Sequence, residues 1–173
     1  MSVRISRGGV VDCRAALEIP LSVTSVWGQL RDFPRYARQD FFHADMTVER
    51  GFPKAGAKLT LCHRFAGVRI ERIGRILIWR EGVGYSFSDL SLRGPRSGFP
   101  HVFSFRIEPI NEKSCRLHIR VSGRWTAKRI PRWLGKLWLL WVFSHIVRRV
   151  NNELMVYRVW VKGRGGWKPS VSK

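Results

Sequence analysis

From Met46 to Trp125 the chain is written almost throughout in a period of two, and from Arg132 to Val161 it switches to one long helical run. That switch constrains the fold more than any other feature. Alternate residues of a strand point to opposite faces, so an alternating run has one apolar side and one polar side. Six candidate strands follow one another: Met46–Arg50, Lys58–Phe65, Val68–Trp79, Val83–Leu92, His101–Pro109 and Cys115–Trp125. The breaks between them are turn-like, for example Arg80-Glu81-Gly82, Gly94-Pro95 and Asn111-Glu112. Strands joined by short loops pair antiparallel. A seventh strand, Val10–Ile19, precedes them, with Val11, Cys13, Ala15, Leu17 and Ile19 on one side. A sheet of this size leaves an apolar face that needs cover. The C-terminal helix is the only large element available to cover it.

Between the first strand and the rest, Ser22 offers an N-cap, and Val23, Val26, Trp27 and Leu30 recur at helical spacing. This predicts a short helix through Asp32, broken by Pro34, with a second short helix or turn over Arg35–Asp40. The expected class is α+β: a curved seven-stranded antiparallel sheet wrapped around the long C-terminal helix, with two short helices after the first strand. Residues 1–9 read as a flexible N-terminus, 10–162 as one domain, and 163–173 as a basic, disordered tail that begins where Gly163 stops the helix. With 173 residues, the chain is long enough to bury one sizeable core. Its three cysteines, Cys13, Cys62 and Cys115, are odd in number and show no CxxC spacing. They predict reduced thiols in a reducing compartment, with neither a disulfide framework nor a zinc finger. No apolar segment follows the early arginines, so a cytoplasmic location is expected.

Particular residues carry a resemblance. Ile19-Pro20 followed by Val26-Trp27 and Leu30-Arg31-Asp32-Phe33 looks like the opening segment of the START-related, or SRPBCC, superfamily, which includes the major birch pollen allergen, polyketide cyclases and lipid-transfer domains. Gly94-Pro95, Phe99-Pro100-His101 and Phe103-Ser104-Phe105 look like a strand of its bacterial members, and Glu108-Pro109 with Cys115–Val121 continues the likeness. The resemblance spans about residues 10–161 and implies a helix-grip fold. It also implies a hydrophobic ligand, held either by a carrier or by a polyketide cyclase/dehydrase-type enzyme. An acid common in the family after the late strand is replaced here by basic residues, Arg116 and Arg120.

If the sheet wraps the helix, the inward positions include Leu59, Leu61, His63 and Phe65, then Tyr85, Phe87 and Asp89, then His101, Phe103 and Phe105, then Leu117 and Ile119. Phe143, Ile146 and Val150 would face them from the helix. Aliphatic and aromatic walls with a few polar groups are what a small-molecule pocket contains; a filled core is the bland alternative. His63, Tyr85, Asp89 and His101 are polar residues in phase with hydrophobic ones. They are read as structural hydrogen-bonding partners or as anchors for a ligand's polar end, with a His–Asp pair as the proton-transfer option. No HxH or HExxH spacing occurs, so neither a metal nor another cofactor is expected.

The net charge is +20, and beyond Arg120 Glu153 is the one acidic residue. Arg116, His118, Arg120 and Arg124 alternate opposite the apolar set, with Arg69 and Arg75 on a neighbouring strand. This strip is either a solvated sheet face or a polyanion platform. No RNP-like, zinc or helix-turn-helix pattern points to nucleic acid. The start of the long helix is apolar almost all round. The run Leu137–Val147 spans about 16 Å at ~1.5 Å per residue, too short for a bilayer core of ~30 Å. Trp133, Trp138 and Trp141, with Lys128, Arg129, Arg132 and Lys136, predict contact with an anionic membrane surface, with dimerisation or packing under loops as alternatives. The expected function is binding, and transfer at such a surface, of a hydrophobic small molecule or lipid by a monomer or homodimer; an enzyme using the same pocket is the alternative.

Overall fold

The computed structural model describes residues 1–34, 43–49, 52–65, 68–89, 100–125 and 130–164. Its elements are β1 (Ser2–Ile5), β2 (Val10–Ile19), α1 (Val23–Leu30), β3 (His43–Val48), β4 (Lys58–Phe65), β5 (Val68–Arg80), β6 (Gly84–Asp89), β7 (His101–Asn111), β8 (Ser114–Arg124) and α2 (Arg132–Arg164). One eight-stranded antiparallel sheet runs in the order β1-β2-β8-β7-β6-β5-β4-β3. The six strands from β3 to β8 form a meander, and β2 closes onto β8 with Ile19 opposite Cys115.

The strand count is a correction. Ser2–Ile5, expected to be flexible, pairs with β2 through Val3 opposite Cys13, and Val3 is buried. Four residues with one buried side chain are too short to display a period, which hid the strand. A second correction concerns the end of α2. The helix runs through Gly163 to Arg164, because glycine inside a helix costs only about 1 kcal/mol and does not by itself end it. The second short helix and the basic tail lie outside the described residues.

The alternation read from the sequence is the alternation of burial. Val11, Cys13, Ala15 and Ile19 of β2, Phe103, Phe105 and Ile107 of β7, and Cys115, Leu117, Ile119 and Val121 of β8 are all buried. Leu139, Phe143, Val147, Val150 and Leu154 of α2 close over this face at helical spacing. The helix approaches the sheet most closely at β1 and β2. Gly135 sets its first turns: a Cβ there would come within 2.7 Å of the Trp125 ring. Ser22 caps α1, accepting a hydrogen bond from the Ser25 N–H at 3.3 Å.

Beneath α1 the inner face is filled with rings. Phe33, Trp79, Tyr85, Phe87, Phe103 and Phe105 form a continuous set, with Trp27 of α1 at 5.0 Å from Trp79. The Tyr85 hydroxyl donates to the Leu30 carbonyl at 2.9 Å, which ties α1 to β6. Glu81 gathers the Trp27 and Trp79 indole N–H groups and the Arg31 guanidinium on the rim.

Candidate functional site

The apolar inner face is interrupted at one place. His63 of β4, Arg72 of β5, Asp89 of β6 and His101 of β7 meet there. Four adjacent strands each supply one side chain, because residues opposite or diagonal across an antiparallel pair share a face. Asp89 lies directly opposite His101, and Arg72 directly opposite Leu61, two residues from His63.

Asp89 is the hub. It is 1% exposed, and its Oδ2 receives Arg72 Nη1 at 2.8 Å and His63 Nε2 at 3.2 Å, with His101 Nδ1 at 4.0 Å. Burial alone would raise its pKa. The His63 hydrogen bond and the charges of His101, His63 and Arg72 outweigh burial and hold the carboxyl at about 2. Asp89 is therefore a carboxylate at neutral pH. Its second oxygen, Oδ1, is also buried and has no hydrogen-bond partner among the described residues. Buried oxygens are rarely left so. The three surrounding side chains each keep some exposure, while the carboxylate keeps none. Anything arriving at this place meets guanidinium and imidazole edges backed by a fixed negative charge.

Arg72 is the member that sequence reasoning missed. The signal was present: Arg72 is in phase with Gly74 and Ile76 of β5, and Ile76 is fully buried. A charge in phase with apolar residues is the same signal that singled out His63 and Asp89.

The other expected site residues fall as follows. Leu59, Leu61, Phe87, Phe103, Phe105, Leu117, Ile119, Phe143 and Val150 are buried on the inner face or the helix, and Ile146 is partly buried against them. Phe65 lies in β4, but its side chain is outside the described ones. Tyr85 lies buried on the same face. Its hydroxyl is engaged by Leu30, and burial pushes its pKa upward. The helix start divides. Trp133 and Trp141 are exposed, as are Arg132 and Lys136, and Trp138 is exposed although its ring lies 6.2 Å from Trp125. Lys128 and Arg129 lie outside the described residues.

The basic strip on the outer face proves to be a ladder of ion pairs. Asp12 holds Arg14 at 2.7 Å and Arg120 at 2.8 Å; Glu18 holds Arg116 at 2.7 Å; Glu108 holds His118 and Arg106 at 2.9 Å each. Cross-strand acids pair with Arg116, His118 and Arg120 of this strip, as on a solvated sheet face.

No family model matches the chain, and no curated protein is similar to it in sequence. Solved structures are similar in fold. The Zhui aromatase/cyclase from Streptomyces sp. R1128 has a TM-score of 0.69 at 14% identity, over 91% of this chain and 99% of that one. A START superfamily protein from Mycobacterium smegmatis has a TM-score of 0.63 at 15% identity, over 83% and 97%. Ara h 8.0201 has a TM-score of 0.62 at 9% identity, over 86% and 99%. The chain has the START/SRPBCC helix-grip fold. At these identities the likeness is one of architecture, and the chemistry rests on this chain's own residues. Among the described residues, no helix is long and apolar enough to cross a membrane.

Proposed function

We propose that the protein binds a hydrophobic small molecule or lipid between the inner sheet face and α2, and hands it over at a membrane surface. The observation that carries this reading is the Asp89 cluster: a charged, partly accessible group set into an otherwise apolar wall. Apolar burial would supply most of the affinity, at about 25 cal/mol per Å². Arg72, His63 and His101 would orient the polar end of the ligand, with Asp89 holding all three in place. The similarity in fold to a START superfamily protein supports this reading.

A second reading is an enzyme of the cyclase/dehydrase type. It is favoured by the contact between the Asp89 carboxylate and the His63 imidazole, the pairing that orients a general base. The similarity in fold to aromatase/cyclases adds to it.

The test is to purify the protein under native conditions, extract it with organic solvent and identify the extract by mass spectrometry. The carrier reading expects one lipid-like species in near-stoichiometric amount, lost from Arg72→Leu protein that still unfolds cooperatively. An empty extract, together with turnover of a poly-β-keto substrate that Asp89→Asn abolishes, would replace the carrier by the enzyme.

A further inference from the structure

The function just proposed calls for a membrane surface without saying which residues would meet it. Leu139, Phe143, Val147 and Val150 bury one stripe of the helix. The opposite stripe begins with Trp133, Leu137 and Trp141, which are 63%, 56% and 58% exposed. Leu134 and Leu140 flank it and are also exposed. Positions spaced by four residues share one side of a helix, so these rings and leucines form a single patch about 12 Å long at ~1.5 Å per residue. Monomeric proteins rarely show such a patch without a partner for it.

The charges that α2 itself sets beside the patch are all of one sign. Arg132 and Lys136 are exposed beside it, Arg148 continues its stripe two turns on, and no acidic residue occurs in α2 before Glu153. An apolar patch on a protein partner would be neutral or of mixed charge at its rim. A second copy of this helix would set like charges against like. An anionic bilayer answers both features at once: indole rings and leucines enter the headgroup boundary, and basic side chains meet lipid phosphates. The run is too short to span, so the helix would lie along the surface.

We infer that the Trp133–Leu137–Trp141 face of α2 is a docking surface for anionic lipid bilayers. It deepens the hand-over proposed above and rests on that reading for its purpose, while vesicle binding is read separately from the ligand extract.

The experiment is co-sedimentation of the full chain with vesicles of phosphatidylcholine alone and of phosphatidylcholine mixed with phosphatidylglycerol. The expected result is binding to the mixed vesicles that weakens by about tenfold or more in each of two variants. One is Trp133→Ser/Leu137→Ser/Trp141→Ser, which keeps every charge; the other is Arg132→Gln/Lys136→Gln, which keeps every ring. All substituted side chains are exposed, and thermal unfolding checks that both variants fold like the parent. Val156 and Val159, exposed at the far end of the helix, make the control: Val156→Ser/Val159→Ser should bind as the parent does. Binding that the triple variant retains in full would reduce the effect to bulk charge and overturn the assignment. Loss confined to the control pair would also overturn it. So would a parent chain that ignores vesicles and elutes as a dimer which the triple variant converts to a monomer, since the patch would then be an interface between copies.

Discussion

The two ends of the inner sheet face are built on opposite principles. Beneath α1, Phe33, Trp79, Tyr85, Phe87, Phe103 and Phe105 fill the space, and their two polar atoms, the Tyr85 hydroxyl and the Trp79 indole N–H, donate to Leu30 and Glu81. Toward the start of β7, His63, Arg72, Asp89 and His101 place formal charge against an apolar wall and leave one carboxylate oxygen without a hydrogen bond. The aromatic end lowers the free energy of the fold and asks nothing of a ligand. The polar end costs desolvation and returns it only through ion pairing. A chain that needed stability alone would have continued the rings. The difference identifies the polar end as the place to look for chemistry.

The largest expected effect lies at the aromatic end. Phe103→Ala removes a ring stacked on Phe87 at 5.6 Å and should cost about 3–5 kcal/mol, read as a lower urea midpoint with an unchanged slope. A variant that unfolds like the parent would show that the ring set contributes little to the core.

Asp89→Ala comes next. It strands Arg72 without a counter-charge and should cost about 3 kcal/mol, with Asp89→Asn costing less because it keeps an acceptor for Arg72 and His63. The measurement is denaturant unfolding of both variants beside Phe103→Ala. Equal stability of Asp89→Ala and the parent would show that the cluster contributes nothing to the fold.

Acid should distinguish the ends without mutation. The folded pKa of Asp89, about 2, lies below the ordinary carboxylate value of 3.8. Its contribution is therefore fully present above about pH 4, declines as pH falls below that and is gone near pH 2. Acid titrations of the parent and of Asp89→Asn, followed by unfolding midpoint, should converge across that window. Curves that stay parallel down to pH 2 would place the carboxylate outside the linkage.

The smallest effect is Tyr85→Phe, which deletes one hydrogen bond to Leu30 and should cost about 1 kcal/mol. Retained ligand in that variant would agree with Tyr85 being structural. Ligand lost from a variant that still folds would return it to the binding site.

Much of the sheet was legible because strand parity is a local property. The inward set of β2, β7 and β8 follows from alternation alone, and its members are buried except for Leu17 and His101, which are partly buried. The apolar start of α2, with its basic flank, was legible for the same reason. Three things were not. The strand Ser2–Ile5 is defined by its partner β2 rather than by its own pattern. The ion pairing within the outer strip depends on contacts such as Asp12 with Arg120, remote in sequence and adjacent only once β2 lies beside β8. The engagement of Tyr85 depends on where the C-terminal end of α1 comes to rest.

By itself, then, the sequence determined the alternation of faces, the order of elements and the presence of polar residues on an apolar wall. These are set by backbone geometry over a few neighbouring residues. Only the tertiary structure decided that neighbouring strands deliver His63, Arg72 and His101 to one oxygen of Asp89, and that Trp133 and Trp141 stay more than half exposed. Convergence and exposure depend on the packing of elements against one another, and no local period records where a distant element will lie.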